Sequence, residues 1–197
     1  MIVSTRALQV WAYPAPADLR KGFDGILAHE LAHFWFGDWV TVAWWDDVWL
    51  NEGMATFTGF HVVKALHPGA DLDPVRAGAE VMLQDGMGSA RAVRQPIRDG
   101  GDVLTAFDGI TYVKGMAVMR MMEAWIGEDT FRAGVRAYLA AHADGNATTA
   151  DLLASLQAAS GKPVAEVAGS FLDRPGVPLV TVSTTCTTRS MSWGTLS

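Results

Sequence analysis

The sequence predicts a mainly α fold with one strand at its C-terminal end. Three observations carry that reading. Apolar residues recur at intervals of three and four along most of the chain. Pro, Gly and hydroxyl or acidic residues stand where those runs should stop and start. Half of the 197 residues are apolar and 18% are charged, which supports a real core and excludes a chain that stays disordered.

The elements can be taken in chain order. Phe23, Leu27, Leu31 and Phe34 predict one buried helix over Asp18–Gly37. Trp39–Trp45 is largely β-branched and aromatic. Asp46-Asp47 then supplies an acidic helix start ahead of Val48, Leu50, Met54, Phe57 and Val62, and Pro68-Gly69 stops that helix near His67. A third helix is expected over Pro74–Leu83, followed by a long irregular connection from Gln84 to Gly109. Val113, Ala117, Met121 and Trp125 predict a helix over Ile110–Ile126, and Gly127-Glu128-Asp129 separates it from another over Thr130–Ala143. Thr148/Thr149 caps a helix containing Leu152, Leu153 and Leu156 that ends at Gly161, and Pro163 opens the last, with Val164, Val167 and Phe171. Val177–Val182 reads as a strand, and the Ser/Thr-rich Ser183–Ser197 as a poorly ordered tail.

A net charge of −6 with no dense basic run excludes the electrostatic footprint of a nucleic-acid binder. Lys114, Arg120 and Glu123 interrupt the most apolar stretch, so no membrane span is expected in this segment. No basic n-region with an apolar h-region is visible at the start. Compartment stays open, with a cytoplasmic location favoured on that ground. The single cysteine, Cys186, excludes an intrachain disulfide and a thiolate cage, leaving His, Asp and Glu as metal ligands.

The central signal is His29-Glu30-Leu31-Ala32-His33, the H-E-x-x-H pattern inside the first predicted helix. At i and i+4 the two imidazoles share a helix face within reach of one ion, and Glu30 projects beside them. A catalytic zinc takes three protein ligands and keeps an open position; a third oxygen ligand is available at Glu52, beyond an intervening gap of 18 residues, 34–51. That gap suffices for a chain reversal between antiparallel helices. Bare H-E-x-x-H can also be ordinary surface-helix chemistry, but here Trp35-Phe36-Gly37 and Trp44–Gly53 extend the context over more than twenty residues.

At these residues the chain resembles the aminopeptidase N family of zinc peptidases, the gluzincin group that includes puromycin-sensitive aminopeptidase. The family pattern is H-E-x-x-H, a gap of 18 and Glu, usually within H-E-L-A-H-Q-W-F-G and W-L-N-E-G; this chain carries His29–His33, Trp35–Gly37 and Trp49–Gly53. It departs at Phe34, where Gln is common, and at Asp38, where Asn is usual; neither is a metal ligand. Ile110–Gly115 resembles the family's Tyr-x-Lys-Gly segment, whose Tyr provides the transition-state hydroxyl. Tyr112 alone would read as a half-buried core aromatic; its place in the segment makes it the expected hydroxyl donor.

The resemblance implies a thermolysin-like zinc peptidase helical subdomain. It implies one Zn2+ on His29, His33 and Glu52, with Glu30 as general base and then acid, and Tyr112 donating to the oxyanion. Zinc in such a set lowers the pKa of water from 15.7 towards about 7, and the implied reaction is hydrolysis of a peptide substrate from its N-terminus. The family's Gly-x-Met-Glu-Asn motif, whose Glu binds the substrate α-amine, is not found, and Ile2–Tyr13 looks like the segment just beyond it. The expectation is therefore a truncated fragment: residues 1–174 a partial catalytic domain, 175–197 the start of a following β domain with an irregular tail, and missing domains of the full-length enzyme as further partners. Two other readings stand beside it, a catalytically inactive zinc-binding remnant and an endopeptidase of the same metal group. His61, His67 and His142 read as surface or packing residues, and Met116, Met119, Met121 and Met122 as core filling. Asp46 and Asp47 read most simply as helix-start charges.

Overall fold

The computed structural model describes residues 19–69, 74–178 and 181–183. Among the described residues, eight α-helices run in the order α1 Leu19–Ala32, α2 Val48–Leu66, α3 Pro74–Asp85, α4 Gly100–Ala106, α5 Gly115–Ile126, α6 Glu128–Ala141, α7 Thr149–Ser160 and α8 Val164–Leu172. The described residues also form a 3-10 turn, Trp45–Asp47, ahead of α2, and two three-residue strands, β1 Val40–Val42 and β2 Gly145–Ala147. They pair in parallel, Val40 with Gly145 and Val42 with Ala147, joining the turn after α1 to the turn before α7.

The helices form because their apolar faces meet. Trp49, Leu50 and Met54 of α2, Met119 and Met122 of α5, Tyr138 of α6, Leu152 and Leu156 of α7, and Val164 and Leu172 of α8 are all at most 2% exposed and form one core. The methionines of α5 fill this core, as their adaptable side chains suggest. A buried polar link runs through it. Thr149 donates its main-chain N–H and its hydroxyl to the Asp47 carboxylate, and Trp49 Nε1 donates to Thr149 Oγ1 at 2.9 Å, so the start of α2 is tied to the start of α7. Asp47 is thus more than a helix-start charge: its side chain makes no cap to α2 and is spent on Thr149.

Several expectations are corrected. The first helix ends at Ala32 rather than Gly37, where the chain turns, and it is not a buried helix. Phe23, Leu27, Leu31 and Phe34 are 45–64% exposed, while the opposite side, with Ala28 and Ala32, packs on α2. Periodicity locates an apolar face but not the element that covers it. The connection Gln84–Gly109 is not wholly irregular. It holds α4, started by the Asp99 carboxylate accepting from Gly101 and Asp102 N–H, and stabilised by Val103 and Ala106 packing on Val48 and Ile97. The helix expected over Ile110–Ile126 begins as a π-helical turn, Ile110–Lys114, before α5. The strand expected over Val177–Val182 is not formed at its described residues, and 179–180 lie outside them. The Ile2–Tyr13 segment and most of the expected tail, from 184 on, also lie outside the described residues.

Candidate metal centre and active site

The first pair of ligand candidates is set by α1. His29 and His33, one helical turn apart, bring their Nε2 atoms to 3.2 Å with the rings edge to face. The third comes from α2, which runs antiparallel to α1: Asp24 meets His67, Gly25 faces Val63, and Gly59 faces the Gly25–His29 backbone. That crossing is close because Gly59 has no side chain; a Cβ there would lie 3.2 Å from the Gly25 carbonyl oxygen. Nearer the start of α2, Glu52 Oε2 stands 3.3 Å from His29 Nε2 and 3.6 Å from His33 Nε2. Among the described residues, His29, His33 and Glu52 are the group that could hold a metal ion, with ligand atoms within 4.8 Å of one another. The donor set suits such an ion: two imidazole nitrogens and one carboxylate, with side-chain exposures of 18%, 23% and 12%, open enough to admit a further ligand.

Both imidazoles are held from behind. His33 Nδ1 donates to the Phe36 carbonyl at 2.9 Å, an acceptor that fixes the proton on Nδ1 and leaves Nε2 bare. His29 Nδ1 faces Thr56 Oγ1 at 3.3 Å. Glu30 is exposed beside the group.

Tyr112 arrives on the π-helical turn, its ring stacked at 6.0 Å from that of His29. Wider turns of this kind recur at functional sites because the extra residue re-aims a side chain. Burial first, then the charge of Glu52 and a hydrogen bond to it, then the charge of Glu30, push the Tyr112 hydroxyl up to about 12. It therefore remains a donor at neutral pH. The turn is supported on both sides. Asp108 accepts from the Ile110 and Thr111 N–H groups, and Arg91 binds Asp108, Thr111 Oγ1 and the Ala106 carbonyl. Lys114 pairs at 2.8 Å with buried Asp85 and donates to the Arg174 and Gly176 carbonyls, anchoring the chain after α8 to the same turn.

All five residues expected from the sequence, His29, Glu30, His33, Glu52 and Tyr112, thus fall in one neighbourhood. Thr56 and Arg91 act through contacts with His29 and Asp108, 27 and 17 positions away, for which no spacing rule exists. Asp108 instead accepts from the N–H groups two and three residues on, a local pattern that the sequence reading misses. His61 lies against Phe57 and 3.2 Å from Glu123, His67 pairs with Asp24, and His142 lies 4.0 Å from Asp151, so none of them joins the group. An apolar cavity of about 500 Å³ lined by Val81, Val113, Met121 and Phe171 contains none of the five residues. Among the described residues no helix is long and apolar enough to cross a membrane.

The H-E-x-x-H segment at the end of one helix, crossed by a second helix that presents a distal carboxylate, defines the class as a helical domain with a candidate His-His-Glu metal centre. Residues 2–171 match the Peptidase family M1 domain, and the chain belongs to that family. It is 37% identical over 163 residues to "Probable aminopeptidase 2" of Sulfurisphaera tokodaii, a match covering 80% of this chain and 21% of the relative. It is 37% identical over 161 residues to "Leucyl aminopeptidase" of Saccharolobus solfataricus (80% and 20%). Against "Aminopeptidase A" of Gloydius brevicauda it is 39% identical over 160 residues (80% and 17%). The chain spans about a fifth of the length of these relatives.

Proposed function

We propose that this chain is the metal-binding part of a zinc-dependent aminopeptidase, with residues 1–174 belonging to its catalytic domain and 175–197 to the start of a β domain. One observation carries the reading: three ligand atoms, from α1, the turn that ends it and the antiparallel α2, converge within 4.8 Å. The names of these three relatives, all aminopeptidases, support the direction of cleavage.

His29, His33 and Glu52 would hold one zinc ion. Zinc in such a set supplies Lewis acidity and lowers the pKa of water from 15.7 towards about 7. Glu30, an exposed carboxylate next to His29, takes the proton of the attacking water and passes it to the leaving amine. Tyr112, kept protonated, donates to the oxyanion that develops on the scissile carbonyl, a bond that strengthens as charge builds. Phe36 and Thr56 hold the two imidazoles behind this chemistry.

Metal content after exhaustive dialysis and release of chromophore from a leucine anilide test the two parts separately. One equivalent of zinc that disappears in His29→Ala, with turnover lost in Glu30→Gln, is the expected result. Equal rates for Glu30→Gln and the unaltered chain would assign the turnover to contamination. A second reading, metal binding without turnover, draws on the uncovered apolar face of α1, where Phe23 and Ile26 are each 64% exposed. Zinc without anilide cleavage would select it.

A further inference from the structure

Thr56 lies on α2 one turn after Glu52, and its hydroxyl touches two groups. Oγ1 is 2.7 Å from the Glu52 carbonyl oxygen and 3.3 Å from His29 Nδ1. A hydroxyl has one proton to give. The carbonyl can only accept, and it holds the shorter bond, so the Thr56 proton goes to Glu52. What then faces the imidazole is a lone pair, which requires the His29 proton on Nδ1. Nε2 is left bare and aimed at the point shared with His33 Nε2 and Glu52 Oε2.

The opposite arrangement, Thr56 donating to Nδ1, would place the ring proton on Nε2, where Glu52 Oε2 at 3.3 Å would accept it and the lone pair needed for a metal would be lost. The hydroxyl thus selects between a ligand-competent and a ligand-incompetent tautomer. Because Thr56 belongs to the helix of Glu52 and His29 to the other helix, the same contact also fixes the α1 ligand relative to the α2 ligand. His33 needs no such help, since its Nδ1 is bound by the Phe36 carbonyl within its own turn.

We propose that Thr56 is a positioning residue for the metal centre, holding His29 in the Nδ1-protonated tautomer and turned towards Glu52. This rests on the zinc reading above and adds to it a residue that does not touch the ion. Thr56→Val keeps the β-branched shape and removes the hydroxyl; Thr56→Ser keeps the hydroxyl and removes the methyl. Competition with a chromogenic chelator should show Zn2+ binding weakened about 10- to 100-fold in Thr56→Val, while Thr56→Ser stays close to the unaltered chain. The imidazole 15N signals of His29 in the unaltered, zinc-free chain give a readout independent of any variant. A protonated Nδ1 is expected, and an Nδ1 without a proton would overturn the inference. Undiminished zinc affinity in a folded Thr56→Val protein would overturn it too, while leaving zinc binding itself intact. An unaltered chain that binds no zinc would overturn the metal reading and this inference together.

Discussion

Gly53 and Gly115 pack backbone against backbone where α2 crosses the start of α5. A Cβ on Gly53 would lie 3.3 Å from the Gly115 carbonyl carbon, and one on Gly115 would lie 3.4 Å from Trp49 and 3.5 Å from the Gly53 Cα. Each glycine closes a segment that carries a site residue: Glu52 immediately precedes Gly53, and Tyr112 lies three residues before Gly115. The absence of two side chains is what lets the third ligand candidate and the hydroxyl donor share one site.

A double-mutant cycle tests this contact. Each single Gly→Ala change gains about 1 kcal/mol of helix propensity and meets one tight neighbour, so the two effects nearly cancel. In the double variant two methyl groups oppose each other across fixed backbone. We predict an unfavourable coupling of about 1–3 kcal/mol in urea denaturation, together with weaker metal binding as the helices part. Additive stabilities would show that the crossing has room to spare.

The buried link from Asp47 through Thr149 to Trp49 makes a second prediction. Thr149→Val removes the hydroxyl that Trp49 Nε1 donates to and one of the two donors to the Asp47 carboxylate, in a place where water cannot substitute. Leaving the Trp49 N–H unpaired and the Asp47 carboxylate with its main-chain donor alone costs about 2–4 kcal/mol, whereas Thr149→Ser, which keeps both hydroxyl bonds, should lose no more than about 1 kcal/mol. Equal midpoints for the Val and Ser variants would mean the hydroxyl contributes nothing.

Much of the centre is legible in the sequence because its spacing is helical. His29 and His33 meet through i,i+4 geometry alone, and Glu52 needs only a chain reversal within 18 residues. Tyr112 is different. Nothing local distinguishes it from a core aromatic, and only resemblance places it. The π-helical turn under it is invisible, since one extra residue leaves the surrounding apolar period nearly unchanged. The β1–β2 pair is illegible for another reason: Gly145-Asn146-Ala147 has poor strand propensity, and its partner lies about a hundred residues away. The stripe along α1 reads correctly as apolar and wrongly as buried, because a pattern reports a face and not its cover.

Tyr112→Phe separates a role in turnover from one in folding. Loss of a single oxyanion donor lowers kcat about 10²- to 10³-fold, and zinc content and KM should change little, because the hydroxyl is expected to act mainly as charge develops. In the metal-free chain its raised value also sets a stability window. Between about 10, where a free tyrosine ionises, and about 12, the unfolded chain loses a proton that the folded one keeps, so stability falls as pH rises through that range. Tyr112→Phe should flatten part of that fall in denaturation curves collected at alkaline pH. An identical alkaline slope in the two proteins would place the hydroxyl in an environment open to water.

The start of α7 offers a test on the acid side. Thr148 and Asp151 form a reciprocal cap, with the Thr148 N–H donating to Asp151 Oδ2 at 2.8 Å and Asp151 N–H returning to Thr148 Oγ1. The bonds from the Thr148 hydroxyl and N–H hold the Asp151 carboxyl below its ordinary value. The side chain is 39% exposed, so solvent screens its charge and the cap bonds set the size of the effect. Asp151→Ala should therefore lose about 1 kcal/mol at neutral pH. A depressed carboxylate contributes stability above its unfolded pKa and loses it as pH falls through the folded one. The gap between variant and unaltered chain should hold steady down to about pH 5 and close below about pH 4, near the free Asp value. His142 lies 4.0 Å from Asp151 and its charge also lowers the Asp151 carboxyl, so a His142→Gln background removes that contribution. A gap in that background that persists unchanged into strong acid would mean that the carboxylate is not the acceptor that starts α7.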